Sequence, residues 1–151
     1  MVAVRLQAVV CVQTRPAMAP RVADVAERFP ELTLVIDHLG RFDPMEAASR
    51  PAFQAILGLS KHARVHLKLS GLFHLTQRAY PYVDTHRHVA RAVEAFGAAR
   101  VLWGSDFPNC LPEDAGYAGQ LRLVREDLPD LTTAQREQIL GSTASRVFGL
   151  A

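Results

Sequence analysis

The sequence has little of what marks an exported, membrane-embedded or nucleic-acid-binding chain. Only two cysteines, Cys11 and Cys110, occur in 151 residues, which excludes a disulfide framework and favours a reducing, cytoplasmic setting. The apolar run near the amino terminus is too short for a membrane span, and it lacks the basic region and cleavage site of a signal peptide. The 17 basic and 15 acidic residues nearly balance, without a long basic run. We therefore expect neither nucleic acid nor a membrane as a partner.

The sequence does contain an alternation of β-branched runs with helical patterns. With 49% hydrophobic residues, the chain is long enough to bury one core. Strands are predicted over residues 6–13, 32–38, 64–70 and 100–106. Helices are predicted over residues 16–29, 51–62 and 116–127, ahead of Gly97, and from Thr132 towards Phe148, where Thr132 and Gln135 have capping-box spacing. This order predicts βα units around a parallel sheet, in the α/β class.

Polar side chains gather where the predicted strands end. In the third strand, His66, Lys68 and Ser70 share one face, opposite the apolar residues that helices should cover. His38 and Asp106 are the last residues of the second and fourth predicted strands. Parallel α/β folds place their chemistry at the carboxyl ends of the strands, in open sheets and in closed barrels alike. The strand ends therefore predict where a site lies without choosing between these two architectures.

Four motifs carry a resemblance to a known family. In this order, LVIDHLGR, LKLSG, VLWGSDFP and STASRVFGL resemble the amidohydrolase-related family, and within it the branch of L-fuconolactonase and pyrone-dicarboxylate lactonase. The resemblance implies a (β/α)8 TIM barrel, which needs roughly 250 residues. By the same resemblance, the four predicted strands look like the fifth to eighth strands of the barrel. We therefore expect residues 1–151 to form a single partial domain, truncated to the C-terminal half, with the N-terminal half absent.

The resemblance also implies roles for two residues at the strand ends. Asp106 would act as the general base that directs a water molecule at a carbonyl carbon. His38 would polarise that carbonyl or stabilise the oxyanion formed from it. The residues by themselves leave plainer alternatives open, because an aspartate after a strand often caps the following turn and a lone histidine is often a hydrogen-bonded core residue.

Three further residues are candidate substrate contacts. Arg41 offers a bidentate guanidinium for the spectator carboxylate of a substrate, or it is an ordinary solvated loop charge. Lys68 and Ser70 share the inward face of their strand, but Lys68 could instead belong to a structural ion network. Cys110 has no histidine near it in sequence that would pair with it, so we expect an inert thiol.

The sequence departs from the metal-dependent members of the family. Their first strand carries an HxH pair, whereas the single HxH here, His86-Arg87-His88, lies on a predicted helix and is expected to be two solvated histidines. Their fifth strand usually ends in a histidine ligand, where this chain has Gln13. His38 and Asp106 would leave two ligands where a catalytic zinc normally has three. We therefore expect no metal cofactor, although zinc remains possible in a complete barrel.

The sequence thus predicts a hydrolase fragment that acts on a lactone or related ring ester by water attack. One alternative is a metal-dependent decarboxylase or amidohydrolase of the same family. Another is a truncated half-barrel without catalytic activity that acts only as an assembly partner. We expect the isolated chain to be inactive, its substrate to be a small lactone or carboxylated ring compound, and its protein partner to be a second copy in a homodimer or an N-terminal half.

Overall fold

Four short parallel strands form a single sheet at the centre of the molecule. The computed structural model describes residues 2–47, 50–111 and 115–150. The strands are β1 (Val9–Val12), β2 (Thr33–Ile36), β3 (Val65–Leu69) and β4 (Val101–Trp103). Each strand pairs in parallel with the next along the chain, in the order β1-β2-β3-β4. Helical segments connect them, so the predicted α/β class and the βα units are confirmed.

The helices follow the predicted order. They are α1 (Val2–Arg5), α2 (Ala19–Arg28), α3 (Pro51–Leu57), α4 (His86–Phe96), α5 (Gly116–Arg122), α6 (Thr133–Glu137) and α7 (Thr143–Phe148). Wider π-helical turns extend α5 over Leu123–Asp127 and join α6 to α7 over Gln138–Ser142. The predicted capping box is present, because Thr132 and Gln135 satisfy each other's backbone N–H groups at the start of α6. No helix within the described residues is long and apolar enough to cross a membrane.

The two faces of the sheet are both largely buried, but they belong to different environments. Leu34, Ile36 and Leu67 pack into the hydrophobic core on the helix-covered face. On the opposite, interior face, Val35 is 0% exposed and Leu102 is 1% exposed, although neither joins that core. In the register, Val35 lies beside Cys11 on β1 and His66 on β3. Cys11 is exposed, so the interior face opens to solvent towards β1.

The structure corrects the predicted strand boundaries. The strand predicted over residues 6–13 is wrong at its start, because Val2–Arg5 is helical and the Ala8 N–H donates to the Ala3 carbonyl at 2.9 Å. Leu6 is consequently 71% exposed. The second and fourth strands end at Ile36 and Trp103, two and three residues before the predicted ends at His38 and Asp106. These polar residues therefore lie in loops beyond the strands.

The expectation of two solvated histidines on α4 is also wrong. His88 is 3% exposed, and its ring stacks on Phe42 with 4.4 Å between centroids. Its Nε2 lies 3.0 Å from the Glu46 carbonyl oxygen, while His86 Nε2 lies 2.7 Å from the Pro81 carbonyl oxygen. Burial lowers the pKa of His88, and hydrogen bonding only partly opposes this. Both histidines therefore make structural contacts within the helical layer.

Candidate active site

The candidate site lies in the loops that follow β2, β3 and β4, at the carboxyl edge of the sheet. Each loop contains a residue in the left-handed conformation: φ is +52° at His38, +61° at Gly71 and +57° at Asp106. This conformation costs a non-glycine residue about 1–2 kcal/mol, and strained residues tend to collect at functional sites. The two residues for which the sequence predicts catalytic roles thus both have strained backbone.

His38 is held in place by Ser70. The Nδ1 atom of His38 lies 2.9 Å from Ser70 Oγ, and Ser70 is 4% exposed. By strand alternation, His38 would share the helix-covered face with Ile36. The backbone is left-handed at His38 and again at Leu39, inside the turn Asp37–Gly40. This turn is what brings the imidazole ring to Ser70.

Asp106 contacts two polar side chains. Its Oδ2 lies 3.1 Å from His74 Nε2, and its Oδ1 accepts a hydrogen bond from Asn109 Nδ2 at 3.3 Å. The Asp106 side chain is 14% exposed and its Oδ2 is buried, whereas the His74 side chain is 38% exposed. The carboxylate therefore lies just below the surface, with a partly exposed histidine next to its buried oxygen.

Gly71 lies between His38 and Asp106. A Cβ atom at this position would be 2.6 Å from His38 Nδ1 and 3.2 Å from Asp106 Oδ2. Both distances are shorter than ordinary van der Waals contact, so the absence of a side chain lets the two functional groups approach. His38, Ser70, His74 and Asp106 thus surround one glycine, and we call these five residues the Gly71 cluster.

Lys68 is already paired. It lies on β3, and its Nζ is 2.5 Å from Asp37 Oδ1 and 3.7 Å from Cys11 Sγ. Burial lowers the pKa of Lys68, but the hydrogen bond and charge of Asp37 outweigh burial and raise this pKa above its ordinary value. Gly104 leaves room for the lysine stem, because a Cβ there would be 3.1 Å from Lys68 Cδ. The contacts favour the structural ion network over a free substrate-binding cation.

Arg41 lies next to the Gly71 cluster in the chain but lines a separate groove. Its backbone N–H donates to the His38 carbonyl at 2.8 Å. The open groove has a volume of about 670 Å³ and also contains Arg15, Arg21 and the end of β1. Three arginines therefore line one groove, which contains none of the five residues of the Gly71 cluster. The substrate-binding roles of Arg41, Lys68 and Ser70 stay predictions.

Two polar residues of the site are missing from the sequence predictions. His74 ends the short turn Leu72–His74 that begins directly after Gly71. Asp37 immediately precedes His38 and follows β2. Both residues lie just beyond a strand, which is the signal that could have identified them. The predicted strands 32–38 and 64–70 contain Asp37 as an internal residue and end before His74, so neither residue marks a predicted strand end.

The described residues contain no group of three histidine, cysteine, aspartate or glutamate side chains placed to hold a metal ion. Cys11 Sγ lies 3.7 Å from Lys68 Nζ, and Cys110 is buried with its backbone N–H donating to the Asp106 carbonyl at 3.3 Å. A catalytic zinc usually takes three ligands from protein. The described part of the chain thus does not fit a catalytic zinc by itself.

Four parallel βα units, with polar residues gathered at the carboxyl edge of the sheet, define the chain as a parallel α/β protein. The family model described as Amidohydrolase matches residues 2–150. The chain therefore belongs to the amidohydrolase family.

Two curated relatives carry the names of lactone hydrolases. The chain is 31% identical over 134 residues to 4-sulfomuconolactone hydrolase from Hydrogenophaga intermedia, covering 83% of this chain and 42% of the relative. It is 36% identical over 96 residues to L-fucono-1,5-lactonase from Burkholderia ambifaria, covering 62% of this chain and 32% of the relative. The chain thus spans less than half the length of these curated relatives.

Two solved structures of amidohydrolase relatives match nearly the whole chain. An amidohydrolase from Burkholderia multivorans with bound zinc has a TM-score of 0.84 and 29% identity, over 99% of this chain and 55% of that one. A structure named as a 2-pyrone-4,6-dicarboxylic acid hydrolase from Pseudomonas putida has a TM-score of 0.83 and 25% identity, over 97% and 54%. Such neighbours are TIM-barrel amidohydrolases. The four βα units correspond to about half of their fold, which confirms the predicted fold class.

Proposed function

We propose that the chain contributes half of the active site of a lactone hydrolase. The observation that carries this proposal is the pair of strained residues, His38 and Asp106, on either side of Gly71 at the carboxyl edge of the sheet. A carboxylate and an imidazole placed together suit the attack of water on a ring ester. The names of the related lactone hydrolases support the same reaction.

Asp106 is the proposed general base. Its carboxylate takes a proton from a water molecule, and the oxygen of that water forms a bond to the carbonyl carbon of the lactone. The bond between that carbon and the ring oxygen then breaks, and the ring oxygen takes the second proton of the water, from the new hydroxyl on that carbon, so that the products are a hydroxyl group and a carboxylate, while the first proton stays on Asp106. The contacts with His74 and Asn109 hold the carboxylate for this step.

His38 is the proposed electrophile. If the Ser70 hydroxyl donates to Nδ1, the neutral ring carries its proton on Nε2. That N–H is then free to donate to the lactone carbonyl oxygen and to the oxyanion that forms from it. Ser70 would thus act by fixing the tautomer and orientation of the ring, in addition to any contact with substrate.

The proposed substrate is a small lactone that carries a negative charge. The groove that Arg41 lines also contains Arg15 and Arg21, and guanidinium groups bind carboxylates with two parallel hydrogen bonds. The names of the relatives from Hydrogenophaga intermedia and Pseudomonas putida refer to substrates with acidic groups. Arg41 is the arginine that adjoins His38, so we assign the spectator carboxylate to it.

We also propose that this half supplies no metal site. Gln13 follows the end of β1, and a glutamine amide is a poor zinc ligand. The purified chain should therefore contain no stoichiometric divalent metal after dialysis. Elemental analysis that finds close to one zinc ion per chain would contradict this proposal.

A complementary half-barrel is the proposed partner. In the described residues, β1 and β4 each have one neighbouring strand, which leaves their outer edges able to pair with other strands. A second copy, related by a two-fold axis along the barrel, would present β1 to β4 in parallel orientation; an N-terminal half would do the same. We expect light scattering to show a dimer or aggregation, and a stable monomer at micromolar concentration would count against such pairing.

The test of the proposed function is the Asp106→Asn variant of the assembled barrel. The barrel is formed by co-producing the chain with the segment of a lactonase relative that lies outside the matched part. Lactone hydrolysis is followed by proton release to a pH indicator. Asp106→Asn should lower kcat by about 10²- to 10⁴-fold, because the amide keeps the shape but cannot accept the proton.

Asp130→Asn is the matched control, since Asp130 is exposed and lies outside the Gly71 cluster. It should keep full activity, and circular dichroism should show the same fold for both variants. Near-full activity of Asp106→Asn would show that this carboxylate serves only the turn after β4.

A further inference from the structure

The contact between His74 and Asp106 joins two loops that follow different strands. His74 lies on the turn Leu72–His74 after β3, whereas Asp106 lies beyond β4. The two side chains meet through one atom pair, His74 Nε2 and Asp106 Oδ2, at 3.1 Å. Phe73 packs against the His74 ring, with 4.2 Å between centroids. The histidine is thus supported by its own loop and lies beside the carboxylate of another, whose Oδ2 is buried and accepts no hydrogen bond within the described residues.

The reaction proposed above releases a proton in every turnover. Water adds to the lactone, the ring oxygen leaves as a hydroxyl, and the carboxylic acid that forms ionises at neutral pH. One of the two protons of water goes to the hydroxyl, and the other must reach solvent. With a lactone covering the exposed side of Asp106, that proton needs a path that does not cross the substrate.

The geometry points to His74 as this path, an inference that rests on the proposed function. We propose that His74 is a positioning residue that holds Asp106 and relays its proton to solvent. Asp106 Oδ2 is buried, and the partly exposed imidazole lies next to it. The proton passes from Oδ2 to Nε2, which leaves a carboxylate beside an imidazolium. The imidazolium then loses a proton to bulk water, and the neutral ring and the carboxylate are both restored.

The kinetic test uses two His74 variants in the assembled barrel. His74→Ala should lower kcat by about 10- to 100-fold with little change in KM, because substrate binding does not use the ring, while the relay does. Added imidazole should restore the rate in proportion to its concentration. The His74→Gln side chain can donate a hydrogen bond to Asp106 but cannot relay a proton, so this variant should stay slow. A merely structural role would instead predict recovery in His74→Gln and no response to imidazole.

Gln77→Ala is the matched control, since Gln77 is exposed in the same loop. It should retain the full rate and show no response to imidazole. Circular dichroism and urea unfolding of all three variants distinguish a slow variant from an unfolded one. A His74→Ala variant that folds and keeps its full rate would overturn the relay while leaving the proposed function intact.

A second measurement on the chain alone tests the contact without any activity. Long-range ¹H–¹⁵N spectra report the protonation and hydrogen bonding of each imidazole nitrogen. In Asp106→Asn, the Nε2 signal of His74 should shift more than the ring signals of the remote residues His62 and His86. An unchanged His74 signal overturns the inference. A wild-type barrel that hydrolyses no lactone overturns the proposed function, and the relay with it, even if this signal shifts.

Discussion

Replacing Gly71 by alanine should destabilise the chain and displace His38. Gly71 has φ +61° and ψ 28°, a left-handed conformation that costs alanine about 1–2 kcal/mol. The new methyl group would also begin 2.6 Å from His38 Nδ1, a distance that real Cβ atoms do not tolerate. The imidazole must therefore move away from Gly71, and its hydrogen bond with Ser70 is lost.

The expected magnitude follows from these two effects. A hydrogen bond contributes about 0.5–1.5 kcal/mol to stability, so strain and bond loss together should lower the free energy of unfolding by about 1.5–3.5 kcal/mol. Urea unfolding measures this change. Trp103 is the only tryptophan in the sequence and packs edge-on against Tyr117, with 5.8 Å between centroids, so its fluorescence reports loss of the folded sheet.

Gly149→Ala is the matched control for backbone strain. Gly149 has φ +63° and ψ 37°, nearly the same conformation as Gly71, but a Cβ there would meet nothing within 4 Å. The control should therefore lose only the conformational part, about 1–2 kcal/mol. In ¹H–¹⁵N spectra, the His38 ring signals should shift in Gly71→Ala and stay unchanged in Gly149→Ala. Equal losses in the two variants, with unshifted His38 signals, would refute the predicted clash.

Three further predictions concern charge and strain. Burial lowers the pKa of His66 from its ordinary 6.5, and the cationic Arg100 adds to this, so the unfolded chain takes up a proton first as the pH falls. The free energy of unfolding should therefore fall below about pH 6.5, and urea titrations should show a flatter pH dependence in His66→Gln; an unchanged slope would contradict this. Asp37→Asn should cost about 1–2 kcal/mol in the same assay, because it leaves the half-buried Lys68 ammonium unpaired, and the further change Lys68→Met should recover part of the loss. Asp106→Gly should be more stable than Asp106→Ala by about 1 kcal/mol, because φ is positive there; the opposite order would show that this backbone is unstrained.

The order of elements could be predicted from the sequence because it depends on patterns that survive in the folded chain. Apolar residues at helical spacing mark α2, α3 and α4, and a capping box marks the start of α6. The ends of the strands are less well predicted by the sequence pattern. The apolar residues around Leu6 predict a strand, although Val2–Arg5 forms a helical turn and leaves Leu6 exposed. Short apolar runs fit either structure, and only the tertiary pairing with β2 decides where β1 begins.

Contacts between distant segments explain the other differences. The sequence predicts a solvated His88, because nothing near it in sequence shows that Phe42 and the Glu46 carbonyl cover its ring. In the same way, nothing in the spacing of Lys68 and Asp37 shows that they pair across neighbouring strands and loops. Sequence pattern places such residues on a face of an element. It does not say which side chain from another element meets them there.

The geometry of the Gly71 cluster depends on residues that break strand alternation. Within a strand, a side chain can point only to one face or the other. A histidine two residues after Ile36 and an aspartate three residues after Trp103 would therefore point to opposite faces of the sheet. Left-handed backbone at His38 and Asp106 frees both side chains from that rule and directs them at the loop after β3. Gly71 then lets them approach from either side, because it has no Cβ. A glycine at either position would relieve the strain, so left-handed backbone at both His38 and Asp106 is what we expect if the proposed chemistry uses both side chains.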